Sequence, residues 1–172
     1  EVGIFSNSIS YGLGVGVSDL NMDGWPDIYV SNDYAEPDYM YLNQKDGTFK
    51  EVVKKATNHT AVFSMGNDIA DFDNDGFVDI YVANDHTVNF LWHNDQGRGF
   101  TDRGTMSGTG FSQAGEATVS MSVDFADYNK DELLDIFISD DNYCSLYENL
   151  GNGIFKDNSY ASGISMASGQ FV

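Results

Sequence analysis

Three nine-residue stretches of this chain carry oxygen-bearing side chains at the same places. They are "DLNMDGWPD" from Asp19 to Asp27, "DFDNDGFVD" from Asp71 to Asp79, and "DYNKDELLD" from Asp127 to Asp135. Each has an Asp or Asn at positions 1, 3, 5 and 9. A short loop with this spacing can turn four side chains, and the backbone carbonyl of position 7, toward one centre. That chemistry suits a hard dication, because calcium takes about six to eight oxygens in a flexible cage.

The candidate ligands of loop one are Asp19, Asn21, Asp23, Asp27 and the carbonyl of Trp25. Loop two offers Asp71, Asp73, Asp75, Asp79 and the carbonyl of Phe77, and loop three Asp127, Asn129, Asp131, Asp135 and the carbonyl of Leu133. Two carboxylates about 5 Å apart repel by roughly 3 kcal/mol at an effective dielectric of about 20. Three or four of them would open a short loop unless a divalent ion offsets them. The competing reading is a polar Asp/Asn/Gly turn that holds no ion; three copies in register weigh against it. Position 12 is Val30, Val82 and Ile138 rather than the bidentate acid of an EF-hand, which excludes that loop type. Magnesium is disfavoured because it seldom uses an all-protein cage.

Loop three departs at position 6, where Glu132 replaces Gly24 and Gly76. If that turn needs a left-handed backbone, glutamate costs about 1–2 kcal/mol there. Lys130 adds a positive charge beside the ligands. Loop three is therefore expected to keep the fold and hold calcium most weakly, and loop two, with four aspartates, most tightly.

The loops sit inside a longer repeat. Their starts are 52 and 56 residues apart, and each is followed at once by an apolar triplet: Ile28-Tyr29-Val30, Ile80-Tyr81-Val82 and Ile136-Phe137-Ile138. Asn32-Asp33, Asn84-Asp85 and Asp140-Asp141 come next, with a strand-end or turn role. Then follow "YMYLN", "FLWHN" and "SLYEN", each closing on an Asn, and a glycine turn leading to Phe49, Phe100 and Phe155.

Upstream of the loops lie "GLGVGVS", "SMGNDIA" and "TVSMSVDFA". The first alternates Leu13, Val15 and Val17 with glycine, the period of a strand. The triplets are apolar on both faces, as in strands sandwiched between layers. Helical periodicity is absent. About four short strands per repeat, at a period near fifty residues, predict an all-β chain of about three four-stranded β-propeller blades. The repeats run approximately 1–51, 52–102 and 103–157 within one propeller region, 1–172, and 158–172 reads as the start of a further blade. Three blades do not close a ring, so the chain reads as an excised part of a larger propeller, or as one completed by other subunits.

The string "DFDNDGFVDIYVAND" with its later "GTF"-type turn resembles the FG-GAP/VCBS repeats of integrin-α-like propellers, in particular the bacterial and cartilage-acidic-protein type. The resemblance covers nearly the whole chain. It implies blades loaded with structural calcium, up to three ions, in a secreted, cell-surface or periplasmic protein. It also implies a binding or assembly platform for another protein or a glycan.

Charge points the same way. The formal net charge is −19, from 27 acidic and 8 basic residues, and ten aspartates lie inside the three nonamers. Such a chain repels nucleic acid and anionic membranes and attracts cations. No apolar run approaches membrane-spanning length. Cys144 is alone, so no internal disulfide forms.

No nucleophile elbow, zinc-protease helix or phosphate loop is present, so a non-catalytic role is expected. The alternative is the propeller part of a secreted polysaccharide lyase or another carbohydrate-active enzyme, with Tyr34, Tyr39, Tyr41, Trp92 and Tyr147 as sugar-stacking candidates. Packing between blades is the plainer reading of those aromatics, as surface or turn positions are for His59, His86 and His93.

Overall fold

The computed structural model describes residues 2–4 and 11–168. Among these, twelve strands form three separate four-stranded antiparallel sheets, each built from consecutive strands. The first sheet holds β1 (Gly12–Ser18), β2 (Asp27–Asn32), β3 (Tyr39–Asn43) and β4 (Phe49–Glu51). The second holds β5 (Ser64–Ala70), β6 (Asp79–Asn84), β7 (Phe90–Asn94) and β8 (Phe100–Asp102). The third holds β9 (Ser120–Ala126), β10 (Asp135–Asp140), β11 (Ser145–Asn149) and β12 (Phe155–Asp157). This is the expected all-β arrangement of blades, a segment of a propeller. The acidic nonamers are the β1–β2, β5–β6 and β9–β10 connections.

The blades pack face to face in chain order, β5 lying between β1 and β9. Leu20, Tyr29 and Met40 of blade one form a core with Ile80, Val82, Phe90, Trp92 and Phe100 of blade two. The same positions of blade two, Phe72, Tyr81 and Leu91, form the next core with Ile136, Ile138, Tyr147 and Phe155 of blade three. In blade two, Ile80 and Val82 of the triplet therefore belong to the seam with blade one and Tyr81 to the seam with blade three. This is why β6, with a blade on each side, is buried along its whole length. Trp92, Tyr147 and Tyr41 are buried, in line with the packing reading of these aromatics, whereas Tyr34 is exposed with its ring edge-on to Tyr11.

The alternation in β1 is real, but its packed side is the glycine side. A Cβ on Gly16 would stand 2.5 Å from Ile69 Cδ1, and one on Gly14 3.0 Å from the Gly66 Cα. Close approach of blade two thus requires glycine here, while Leu13, Val15 and Val17 point outward.

Three one-turn helices also occur: α1 (Val53–Ala56), α2 (Gly104–Ser107) and α3 (Ile164–Ser168). Each follows the last strand of its blade. Helical periodicity is not visible in the sequence because four or five residues are too few to display a 3.6-residue period. Of the segment 158–172, residues 169–172 lie outside the described residues.

Candidate metal centres

Each loop is wound around its own carboxylates by the same set of hydrogen bonds. The position 1 aspartate accepts from the backbone N–H groups of positions 5 and 6. Asp19 takes those of Asp23 and Gly24 at 2.9 and 2.7 Å, Asp71 those of Asp75 and Gly76 at 3.0 and 2.9 Å, and Asp127 those of Asp131 and Glu132 at 3.1 and 3.0 Å. The position 5 aspartate accepts from the N–H of position 7 in all three: Trp25, Phe77 and Leu133. These are Asx-type turns, and they explain why Asp and Asn are used at odd positions of a tight loop.

Positions 4 and 6 are left-handed in every loop. φ is 58°, 59° and 65° at Met22, Asn74 and Lys130, and 88°, 90° and 71° at Gly24, Gly76 and Glu132. Glu132 thus adopts the backbone its glycine counterparts adopt. A Cβ at Gly24 or Gly76 would meet no atom within 4 Å, so the penalty at Glu132 is torsional and not a clash.

The position 9 aspartates Asp27, Asp79 and Asp135 differ from the others in being fully buried. Asp79 accepts from the N–H of Phe72 at 3.2 Å and of Asn94 at 2.8 Å, joining the loop to strand β7. Asp27 and Asp135 make the equivalent pairs with Leu20 and Asn43, and with Tyr128 and Asn149. Burial pushes the Asp79 carboxyl up to about 8; the two N–H donors oppose this and the charges of Asp73 and Asp75 add to it. Burial raises Asp27 and Asp135 as well. A cation in the loop would supply the positive charge that keeps such a buried group ionised.

The recurring Asn at the end of the third strand has a role that the sequence did not disclose. Asn94 Nδ2 donates to the carbonyl of Val78 in its own loop and, at 2.9 Å, to that of Leu20 in loop one. Asn149 Nδ2 does the same with Leu134 and, at 2.9 Å, with Phe72 in loop two. Each following blade therefore clasps the loop of the one before it. Recurrence in register was the signal, but the second partner lies more than seventy residues away.

Loop two brings its ligands closest to a cation cage. Asp71, Asp73 and Asp79 each offer an oxygen, and these lie within 4.8 Å of one another, as donors about 2.4 Å from a common ion would. Asp73 Oδ1 is buried without a hydrogen-bond partner. In loops one and three, position 3 is Asn21 or Asn129, whose Oδ1 accepts from the N–H of position 5 at 3.0 Å. The all-oxygen donor sets and the orphaned buried oxygen fit a hard dication. Contrary to the surface or turn position expected of it, His93 is buried against loop two, because β7 runs alongside that loop. His86 is exposed, as expected.

A family model described as FG-GAP-like repeat matches residues 19–82 and again 71–138, more than half of the chain. Among curated proteins, integrin alpha-6 of Gallus gallus is 36% identical over 85 residues, which covers 43% of this chain and 8% of that protein. The chain thus spans under a tenth of the length of that relative.

Proposed function

This chain belongs to the FG-GAP-like repeat family, and from that premise we propose that it is a calcium-stabilised, non-catalytic propeller segment that recognises or assembles with another protein or a glycan. The observation that carries the reading is the placing of the loops at the seams. The same nonamer that gathers the carboxylates is clasped by Asn94 or Asn149 of the next blade. An ion that closes the loop therefore also steadies the joint between blades. The ligands we assign are the fifteen oxygens predicted from the sequence, five per loop, with loop two tightest and loop three weakest. When bound, calcium would supply positive charge to the cage; the chain itself supplies pre-wound backbone and a buried position 9 carboxylate.

Within the family, "DFDNDGFVDIYVAND" supports the VCBS, cartilage-acidic-protein-like type. An extracellular, cell-surface or periplasmic setting fits loops of this exposure, since extracellular modules hold calcium with Kd values of about 10⁻⁴–10⁻³ M. Among the described residues, no helix is long and apolar enough to cross a membrane. The carbohydrate-active alternative gains no support from Trp92, Tyr41 and Tyr147, whose burial removes them from any sugar. Further blades, from the same chain or other subunits, are proposed to cover the outer faces of blades one and three.

Thermal unfolding with calcium and with a chelator tests the proposal. One site at a hundredfold excess over its Kd adds about 2.7 kcal/mol, so the midpoint should rise by several degrees; an unchanged midpoint would overturn the reading. Calorimetric titration should give the weakest affinity to loop three. Glu132→Gly should strengthen that site and stabilise the fold by about 1 kcal/mol. Equal affinities in all three loops would sink the ranking.

A further inference from the structure

Blade two differs from its neighbours at one position beside its loop. His93 stands in β7 where β3 has Leu42 and β11 has Glu148. The residue is only 8% exposed. Its Nε2 lies 3.1 Å from Asp73 Oδ2 and 3.7 Å from Asp75 Oδ2. Its Nδ1 is buried without a hydrogen-bond partner, 3.6 Å from Asp95 Oδ1. A buried imidazole is thus aimed into a carboxylate pair, with a third carboxylate behind it.

We infer that Asp73, Asp75 and His93 form a nitrogen-containing site for a zinc-class dication. The inference uses two aspartates of the calcium reading but not calcium itself. The spacing carries it. Two ligands about 2 Å from a tetrahedral ion stand about 3.3 Å apart, and the two Nε2 distances bracket that separation. Imidazole is a ligand of zinc and its transition-series neighbours, whereas calcium takes hard oxygens. Asp95 Oδ1, at 3.6 Å, makes no hydrogen bond to Nδ1 in this structure, but it is the carboxylate to which Nδ1–H would turn if Nε2 took up an ion. Loops one and three have no nitrogen at the equivalent position, so the site belongs to blade two alone.

Zinc and calcium are titrated separately into the wild-type chain, His93→Leu, His93→Gln and Asp95→Asn. Leucine is the residue blade one uses at this position, and circular dichroism verifies that each variant is folded. Both His93 variants should lose zinc affinity by at least about tenfold, and Asp95→Asn by a smaller factor. Calcium affinity should change less than about threefold, because the oxygen cage is untouched. Cobalt(II) should give a visible absorption band in the wild type that disappears in His93→Gln. Zinc binding unchanged in both His93 variants, or no zinc binding by the wild type, overturns the inference while leaving the calcium reading intact. Absent calcium binding beside His93-dependent zinc binding overturns the calcium reading alone.

Discussion

Asp38 is fully buried just before β3, where its oxygens accept from the Tyr29 hydroxyl at 2.7 Å and the Asn32 N–H at 2.8 Å. Burial pushes its carboxyl from 3.8 up to about 6, against the pull of the Asn32 and Tyr29 donors. A folded value above the unfolded one means that the group favours folding while protonated. Its contribution is full below about pH 4 and is lost as pH rises through about 6. Asn89 fills the matching place in blade two, accepting from the Asn84 N–H at 2.8 Å. Asp38→Asn should therefore raise stability by on the order of 2–3 kcal/mol above pH 6 and by little at pH 4. Urea unfolding across that range, with the metal chelated, measures the gap; a gap constant with pH would contradict this account. The positive φ of Glu132 was legible because two aligned glycines exposed what the turn demands. The burial of Asp38 and His93 was not, since burial is conferred by strands from elsewhere in the chain.

At the scale of elements, the strands were readable because residue type, period and repetition agreed on them. The one-turn helices were too short to be seen, and in β1 the valines that signalled a strand proved to lie on its outer side. Of the candidate site, the three acidic loops were legible from spacing alone, while the Asn clasp was legible only as a recurrence. Its energetic weight differs between blades. Asn149 is buried and bridges two loops, whereas Asn43, among the described residues, donates within its own blade, to the carbonyl of Pro26 at 3.1 Å, at a more exposed place. Asn149→Ala leaves one buried and one partly buried carbonyl short of a donor and should cost about 2–3 kcal/mol, against about 1 kcal/mol for Asn43→Ala. Denaturant midpoints of the two variants give the comparison. Equal losses would mean that the clasp between blades adds nothing beyond the local turn.

At the scale of the whole molecule, the seams impose one rule on three residues per blade. Leu20, Tyr29 and Met40 are sealed by blade two, and Phe72, Tyr81 and Leu91 by blade three. Of the matching residues of blade three, Tyr128 is 45% exposed and Phe137 38% exposed, whereas Leu146 is buried. On the opposite flank Val15 is 65% exposed, although its counterparts Asn67 and Val123 face a neighbouring blade. Tyr128, Phe137 and Val15 are thus surface at the flanks although their counterparts in the middle of the segment are packed against a blade, and this pattern supports further blades as their cover. Tyr81→Ser empties a filled seam and should cost about 3–5 kcal/mol. In this segment Phe137→Ser removes a ring already partly in water and should cost about 1 kcal/mol or less. With a further blade packed on blade three, Phe137→Ser should approach the cost of Tyr81→Ser, because the two positions then have the same surroundings. Unfolding free energies of both variants, in the segment and in a longer assembly, make the comparison. A Phe137→Ser cost that stays small in the assembly would show that this face remains open, and that recognition, not another blade, is what its aromatic residues serve.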